Sequence, residues 1–158
     1  MSFDFNADDI FEMAEQIERN GAQFYREAAM GVSDPRSRTF LTQLAAMEDE
    51  HEKVYAELRK ELKEQERTPT VFDPNDEAVL YLRALADARV FIEQTVDFRS
   101  MESILKTAIQ TEKDSIAFYL GLKEIVPLAL GKKRIDEIIK EEMGHIQLLS
   151  RELVALAV

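Results

Sequence analysis

Four stretches of this chain repeat apolar residues at steps of three and four, and each of the four stripes is broken by a glutamate. Phe11, Ala14, Glu18, Gly21, Tyr25 and Ala28 share one helical face, and Leu41, Leu44, Glu48, His51, Tyr55, Leu58 and Leu62 share a second. Met101, Leu105, Ala108, Glu112, Ser115, Tyr119 and Leu122 form a third, and Ile135, Ile138, Glu142, His145, Leu149 and Leu153 a fourth. A chain built this way must bury carboxylates wherever it buries its apolar faces. An isolated buried carboxylate is costly enough to protonate or be excluded, so four converging on one core require compensating positive charge. Two divalent metal ions supply about +4 against about −4, and neutral imidazoles add nothing.

The breaks between stripes fix the organisation. The 5 Gly and 4 Pro gather where apolar periodicity lapses, which predicts a nearly all-α chain. A first helix is expected from Ala7 to Met30, with Gly31 as terminator and Ser33-Asp34-Pro35 as cap and first-turn proline of the next. The second is expected from Pro35 to Glu66. After Thr68-Pro69-Thr70, the N-cap signal Asp73-Pro74 leads into an additional helix over Ala78 to Ile92. A third long helix is expected from Phe98 to Val126, stopped by Pro127, and a fourth from Lys132 to Leu156. Helices of that length suit near-parallel packing in a four-helix bundle, and the long connection between the second and third can cross the whole bundle. The 158 residues are expected to form one domain.

A repeat relates the two halves. Glu18 and Glu112, Tyr25 and Tyr119, Glu48 and Glu142, and His51 and His145 are each 94 positions apart, which reads as a duplication with a pseudo-twofold site between its halves. With 20 Glu in 158 residues, one Glu-x-x-His means little by itself. Here there are only 2 His, and both follow a Glu by three, lie on apolar stripes and obey the repeat. One Glu from each of two helices and a Glu-x-x-His from each of the other two is the ligand pattern of bundles that hold two iron or two manganese ions. The candidate ligands are therefore Glu18, Glu48, His51, Glu112, Glu142 and His145.

Composition removes several other kinds of chemistry. The formal charge of −11 repels nucleic acid and anionic lipid, so neither is expected as a partner. No apolar run approaches the roughly 20 residues needed to span a bilayer, and the N-terminus has no basic and apolar signal pattern, which predicts a cytoplasmic protein. The lack of cysteine removes disulfides, thiol catalysis and sulfur-ligated metal centres built on its own thiolates.

Taken singly, Tyr25 and Tyr119 are more often packing residues than functional ones. Their place beyond each ligand Glu makes a hydrogen bond from phenol to metal-bound carboxylate the sharper reading. Gly21 and Gly144 interrupt helices near the ligands, where they leave room for substrate or water or allow close helix packing. The remaining charges read as solvated faces, and Met and Phe as core filler.

The six ligands, the paired tyrosines and the 30-residue spacing from Glu to Glu-x-x-His in both halves resemble the rubrerythrin branch of the ferritin-like superfamily over nearly the whole chain. The resemblance implies a ferritin-like bundle and an oxo- and carboxylate-bridged di-iron site. In it Glu48 and Glu142 bridge, Glu18 and Glu112 are terminal ligands, His51 and His145 cap one iron each, and Tyr25 and Tyr119 are the tyrosines behind the ligands. Two departures stand out. Rubrerythrins have another Glu three residues after the third-helix ligand, where this chain has Ser115, so the ligand set is more symmetric, as in bacterioferritin. The cysteine-bearing rubredoxin-like domain is also missing, so electrons are expected from a separate donor protein.

The leading expectation is a non-haem di-iron oxidoreductase that reduces hydrogen peroxide or dioxygen. The alternatives are a ferroxidase or iron-handling protein, and a bundle that binds manganese or zinc without turnover. A homodimer is expected, since long bundles commonly associate.

Overall fold

In a computed structural model, residues 7–65, 77–90, 95–126 and 131–157 are described. They form five helices: α1 (Ala7–Gly31), α2 (Pro35–Gln65), α3 (Glu77–Val90), α4 (Met101–Ile125) and α5 (Lys132–Leu156). The expected all-α bundle, with an additional helix between its second and third long helices, is what the chain adopts. Among the described residues no helix is long and apolar enough to cross a membrane.

Local chemistry sets the helix ends. Asp34 caps α2 by accepting from Ser37 N at 2.9 Å, with Pro35 in the first helical position. Ser100 caps α4 through its side chain, 3.2 Å from Ser103 N. That start lies three residues after the expected one, because Phe98 is held in a turn with its ring 5.7 Å from that of Phe24. The helix ends at Val126, whose extended backbone (φ −81°, ψ 125°) suits the residue before a proline. Gly31 ends α1 as expected, as its last residue but without a left-handed turn, and a Cβ there would lie 2.2 Å from the Phe98 carbonyl oxygen. Gly131, before α5, is the left-handed glycine, with φ 119°. The Asp73-Pro74 cap, Glu66, Ile92 and Pro127 lie outside the described residues.

The stripes read from the sequence face inward. Two apolar clusters result, one at each end of the bundle. The first joins Phe11 and Ala14 near the start of α1 with Leu58 near the end of α2, Leu122 near the end of α4 and Ile135 near the start of α5. The second joins Ala28, Leu41, Leu105 and Leu149 from the opposite helix ends. This membership makes α1 antiparallel to α2 and α4, and α5 antiparallel to α4 and α2. The segment from α2 to α4 must therefore travel the length of the bundle, and α3 packs on α4 along the way. Gly121 permits that packing, since a Cβ there would sit 2.7 Å from the Tyr81 ring, whose hydroxyl donates to Ala117 O at 2.7 Å.

Candidate metal centre

Between the two apolar clusters lies a charged layer. α1 contributes Glu18, α2 contributes Glu48 and His51, α4 contributes Glu112, and α5 contributes Glu142 and His145; none of the six is more than 4% exposed. The three-residue step from Glu to His puts both side chains on one helix face, which the neighbouring apolar residues turn inward. The packing that buries Leu44 and Leu58 thus carries Glu48 and His51 with it.

All six predicted ligands come together, in two overlapping groups. Glu18, Glu48, His51 and Glu142 offer one atom each within 4.8 Å of one another, and so do Glu48, Glu112, Glu142 and His145. Glu48 and Glu142 belong to both groups. Glu142 divides its oxygens between them, with Oε1 3.1 Å from His51 Nδ1 and Oε2 2.9 Å from His145 Nδ1. His51 Nδ1 also lies 3.4 Å from Glu18 Oε2, and His145 Nδ1 lies 3.2 Å from Glu48 Oε1 and 3.5 Å from Glu112 Oε1. The two imidazoles stack with centroids 5.6 Å apart and planes 20° from parallel. Both therefore present Nδ1 to the carboxylates.

The tyrosines cross between the halves. Tyr25 of α1 donates to Glu112 of α4 at 2.5 Å, and Tyr119 of α4 donates to Glu18 of α1. Burial first, and the nearby carboxylates second, push both phenols well above their usual range, so each keeps its proton and remains a donor. Gly21 is part of the site, since a Cβ there would lie 3.1 Å from Glu48 Oε2; the missing side chain is the space that carboxylate fills. Gly144 has no atom within 4 Å of its Cβ position. Ser115 is buried, but its hydroxyl donates to Thr111 O of its own helix at 3.0 Å and it belongs to neither ligand group.

Two residues at this layer escaped the sequence reading. Glu141, adjacent to a ligand and 56% exposed, places Oε2 2.6 Å from His51 Nε2. It resembles any other surface charge in sequence; the available signal is its repeat mate 94 positions earlier, Met47, where the two halves stop agreeing. Tyr55 was read as core, and its ring packs 5.0 Å from that of Tyr119, yet its buried hydroxyl has no hydrogen-bond partner. Its repeat mate is Leu149.

The residues fit a pair of metal ions. Among the described residues, the buried side-chain polar atoms without a hydrogen-bond partner are Glu18 Oε2, Glu48 Oε1, Glu142 Oε2, both nitrogens of His145, and the Tyr55 hydroxyl. A buried polar group left unpaired costs about 1–3 kcal/mol, and these gather in one layer. Carboxylate oxygens that approach an imidazole nitrogen to 2.9 Å without hydrogen-bond geometry are aimed at a shared point rather than at each other. The electrostatics agree. Burial pushes Glu18 above the usual carboxylate range and Glu48 well above it. Burial alone would lower both histidines, but the facing carboxylates outweigh it and push His51 to about 11 and His145 to about 12. With the protein's own groups alone, protons supply the positive charge; metal ions supply it with ligands that are deprotonated.

A profile of the Rubrerythrin family matches residues 9–153. A solved structure from Thermotoga maritima, described as a ferritin-like diiron-carboxylate protein, superposes with a TM-score of 0.64 at 21% identity, over 94% of this chain and 95% of that one. That likeness concerns the fold. No match to a curated protein was found. With nearly its whole length matched and a carboxylate–histidine cluster at its centre, the chain belongs to the Rubrerythrin family.

Proposed function

We propose that this chain is a non-haem di-iron oxidoreductase that reduces hydrogen peroxide or dioxygen with electrons from a separate donor protein. The observation that carries this reading is the pair of buried ligand groups sharing Glu48 and Glu142. Glu18, Glu48, His51 and Glu142 would hold one iron, and Glu48, Glu112, Glu142 and His145 the other, with Glu48 and Glu142 bridging. Two bound Fe(II) ions would supply one electron each, the two that reduce one hydrogen peroxide to water or take one dioxygen to the peroxide level.

The chain's own part is charge balance, orientation and proton holding. Four carboxylates offset two divalent ions, and a near-neutral centre is what an apolar core tolerates. Tyr25 and Tyr119 fix Glu112 and Glu18 by hydrogen bonds from the opposite half and keep phenolic protons beside the reaction. The apolar clusters on either side limit bulk water. The lack of cysteine leaves no thiolate-bound redox centre among these 158 residues to deliver electrons, which supports an external donor. Ser115, bonded to its own helix, adds no seventh ligand, so the set stays symmetric and both oxidants belong in the test.

The test is anaerobic loading with Fe(II), followed by stoichiometric hydrogen peroxide or dioxygen and optical detection of Fe(III). The expected result is two Fe(II) oxidised per peroxide, iron retained, and re-reduction by an added electron donor. Release of Fe(III) would turn the reading toward iron handling, and a lack of oxidation by either oxidant would overturn it.

A further inference from the structure

The two ligand groups match residue for residue, three glutamates and one histidine each, but are not supported alike. His51 is held at both nitrogens. Its Nδ1 faces Glu142 Oε1 at 3.1 Å and Glu18 Oε2 at 3.4 Å, while its Nε2 lies 2.6 Å from Glu141 Oε2. His145 faces its carboxylates through Nδ1 in the same way, but its buried Nε2 has no hydrogen-bond partner among the described residues. The position equivalent to Glu141 in the other half holds Met47, whose thioether offers at best a weak acceptor.

An imidazole that ligates through Nδ1 carries its proton on Nε2. A carboxylate accepting that proton's hydrogen bond selects the ligating tautomer, fixes the ring plane and makes Nδ1 a stronger base, and losing such a partner typically costs about 10- to 100-fold in metal affinity. Without an acceptor, His145 must bury an unsatisfied N–H each time it ligates. Resting on the two-metal reading above, we propose that Glu141 is a positioning residue that makes the His51 subsite the tighter of the two. The chain then loads its ions in order, His51 subsite first, and passes through a defined one-metal form.

Glu141 is more than half exposed, so replacing it tests the pairing with little disturbance to packing. The probe is Co(II) alone, titrated anaerobically and followed by visible absorption, by calorimetry and by the hyperfine-shifted exchangeable imidazole N–H resonances. The wild-type protein is expected to bind two ions in two steps about 10- to 100-fold apart in affinity, with one shifted N–H signal after the first equivalent and two after the second. Glu141→Ala should weaken the first step by about the same 10- to 100-fold, close the gap and move the His51 N–H signal, while the second step keeps its affinity. Glu141→Gln, which keeps an acceptor without the charge, should recover part of the loss, and Met47→Glu should tighten the second step. Two equal steps in the wild type, or equal weakening of both steps by Glu141→Ala, would overturn the ordering while leaving a two-metal site intact. Uptake of fewer than two ions per chain would overturn both.

Discussion

The half of the bundle made by α1 and α2 and the half made by α4 and α5 carry the same ligands in the same register, yet they diverge one step outward. Glu18 matches Glu112, Glu48 matches Glu142 and His51 matches His145, whereas Gly21 stands against Ser115, Met47 against Glu141 and Tyr55 against Leu149. The lesson is about which positions are constrained by charge and which by space. On the two-metal reading each ion would require the same count of carboxylates and imidazole, so the innermost positions agree. The outer positions fill volume or orient a neighbour, and helix packing satisfies that demand in different ways in the two halves.

The sharpest break in that comparison comes from residues both halves share. Glu142→Ala removes an oxygen from each ligand group and should abolish binding of both ions, which metal analysis after anaerobic loading and desalting would read as a fall from two ions per chain to none. Glu18→Ala and Glu112→Ala should each cost one ion only, because each residue belongs to one group. Equal loss of both ions in all three variants would mean the halves do not form separable subsites.

Next in size is the effect of pH on the metal-free and metal-loaded forms. Without metal, burial is outweighed by the facing carboxylates, which push His51 up to about 11 and His145 up to about 12 in the folded chain, against 6.5 in a free side chain. Raised values mean stability that is fully present below 6.5 and lost as pH climbs toward 11 to 12. Glu18 and Glu48, raised above 4.5, act in the same direction, with their contribution complete below 4.5 and lost on the way up. The metal-free melting temperature should therefore fall as pH rises from about 5 to 9. Metal binding displaces those protons, so stabilisation by a fixed metal concentration should grow over the same range. Melting curves with and without metal that run parallel across pH would contradict this.

The crossed tyrosines predict a smaller, directed effect. Tyr25→Phe frees Glu112 and should weaken the His145 subsite, while Tyr119→Phe frees Glu18 and should weaken the His51 subsite, each by about 10-fold. Stepwise metal titration distinguishes this crossing from a tyrosine that serves its own half. Smallest of all is Tyr55→Phe, which deletes a buried hydroxyl with no partner and should leave thermal stability unchanged or raise it by up to about 1 kcal/mol, read by denaturant unfolding. Tyr119→Phe should destabilise instead, since its hydroxyl is bonded.

Much of this was legible in the sequence because the physics was local and periodic. The 3.6-residue period placed all four long helices, and α5 matches the reading end to end. The ligands were visible because a glutamate on an apolar stripe contradicts its surroundings, and the repeat made the contradiction four times over. What escaped depended on three-dimensional neighbours. Gly31 ends α1 without a left-handed turn and admits Phe98 from 67 positions on, a contact no local pattern encodes. The start of α4 shifted for the same reason. Glu141 looked like a solvated charge because its partner, His51, lies 90 residues away across the bundle. The tyrosines were placed near carboxylates, but which half each would reach required the packing of α1 against α4.

The central claim is that Glu48 and Glu142 hold two ions side by side within one buried layer. Anomalous diffraction from iron-loaded crystals tests it most directly. The account predicts two peaks per chain about 3.5–4 Å apart, one beside Glu18 and His51 and the other beside Glu112 and His145, with both shared glutamates between them. A single peak, or ions bound away from this layer, would contradict it.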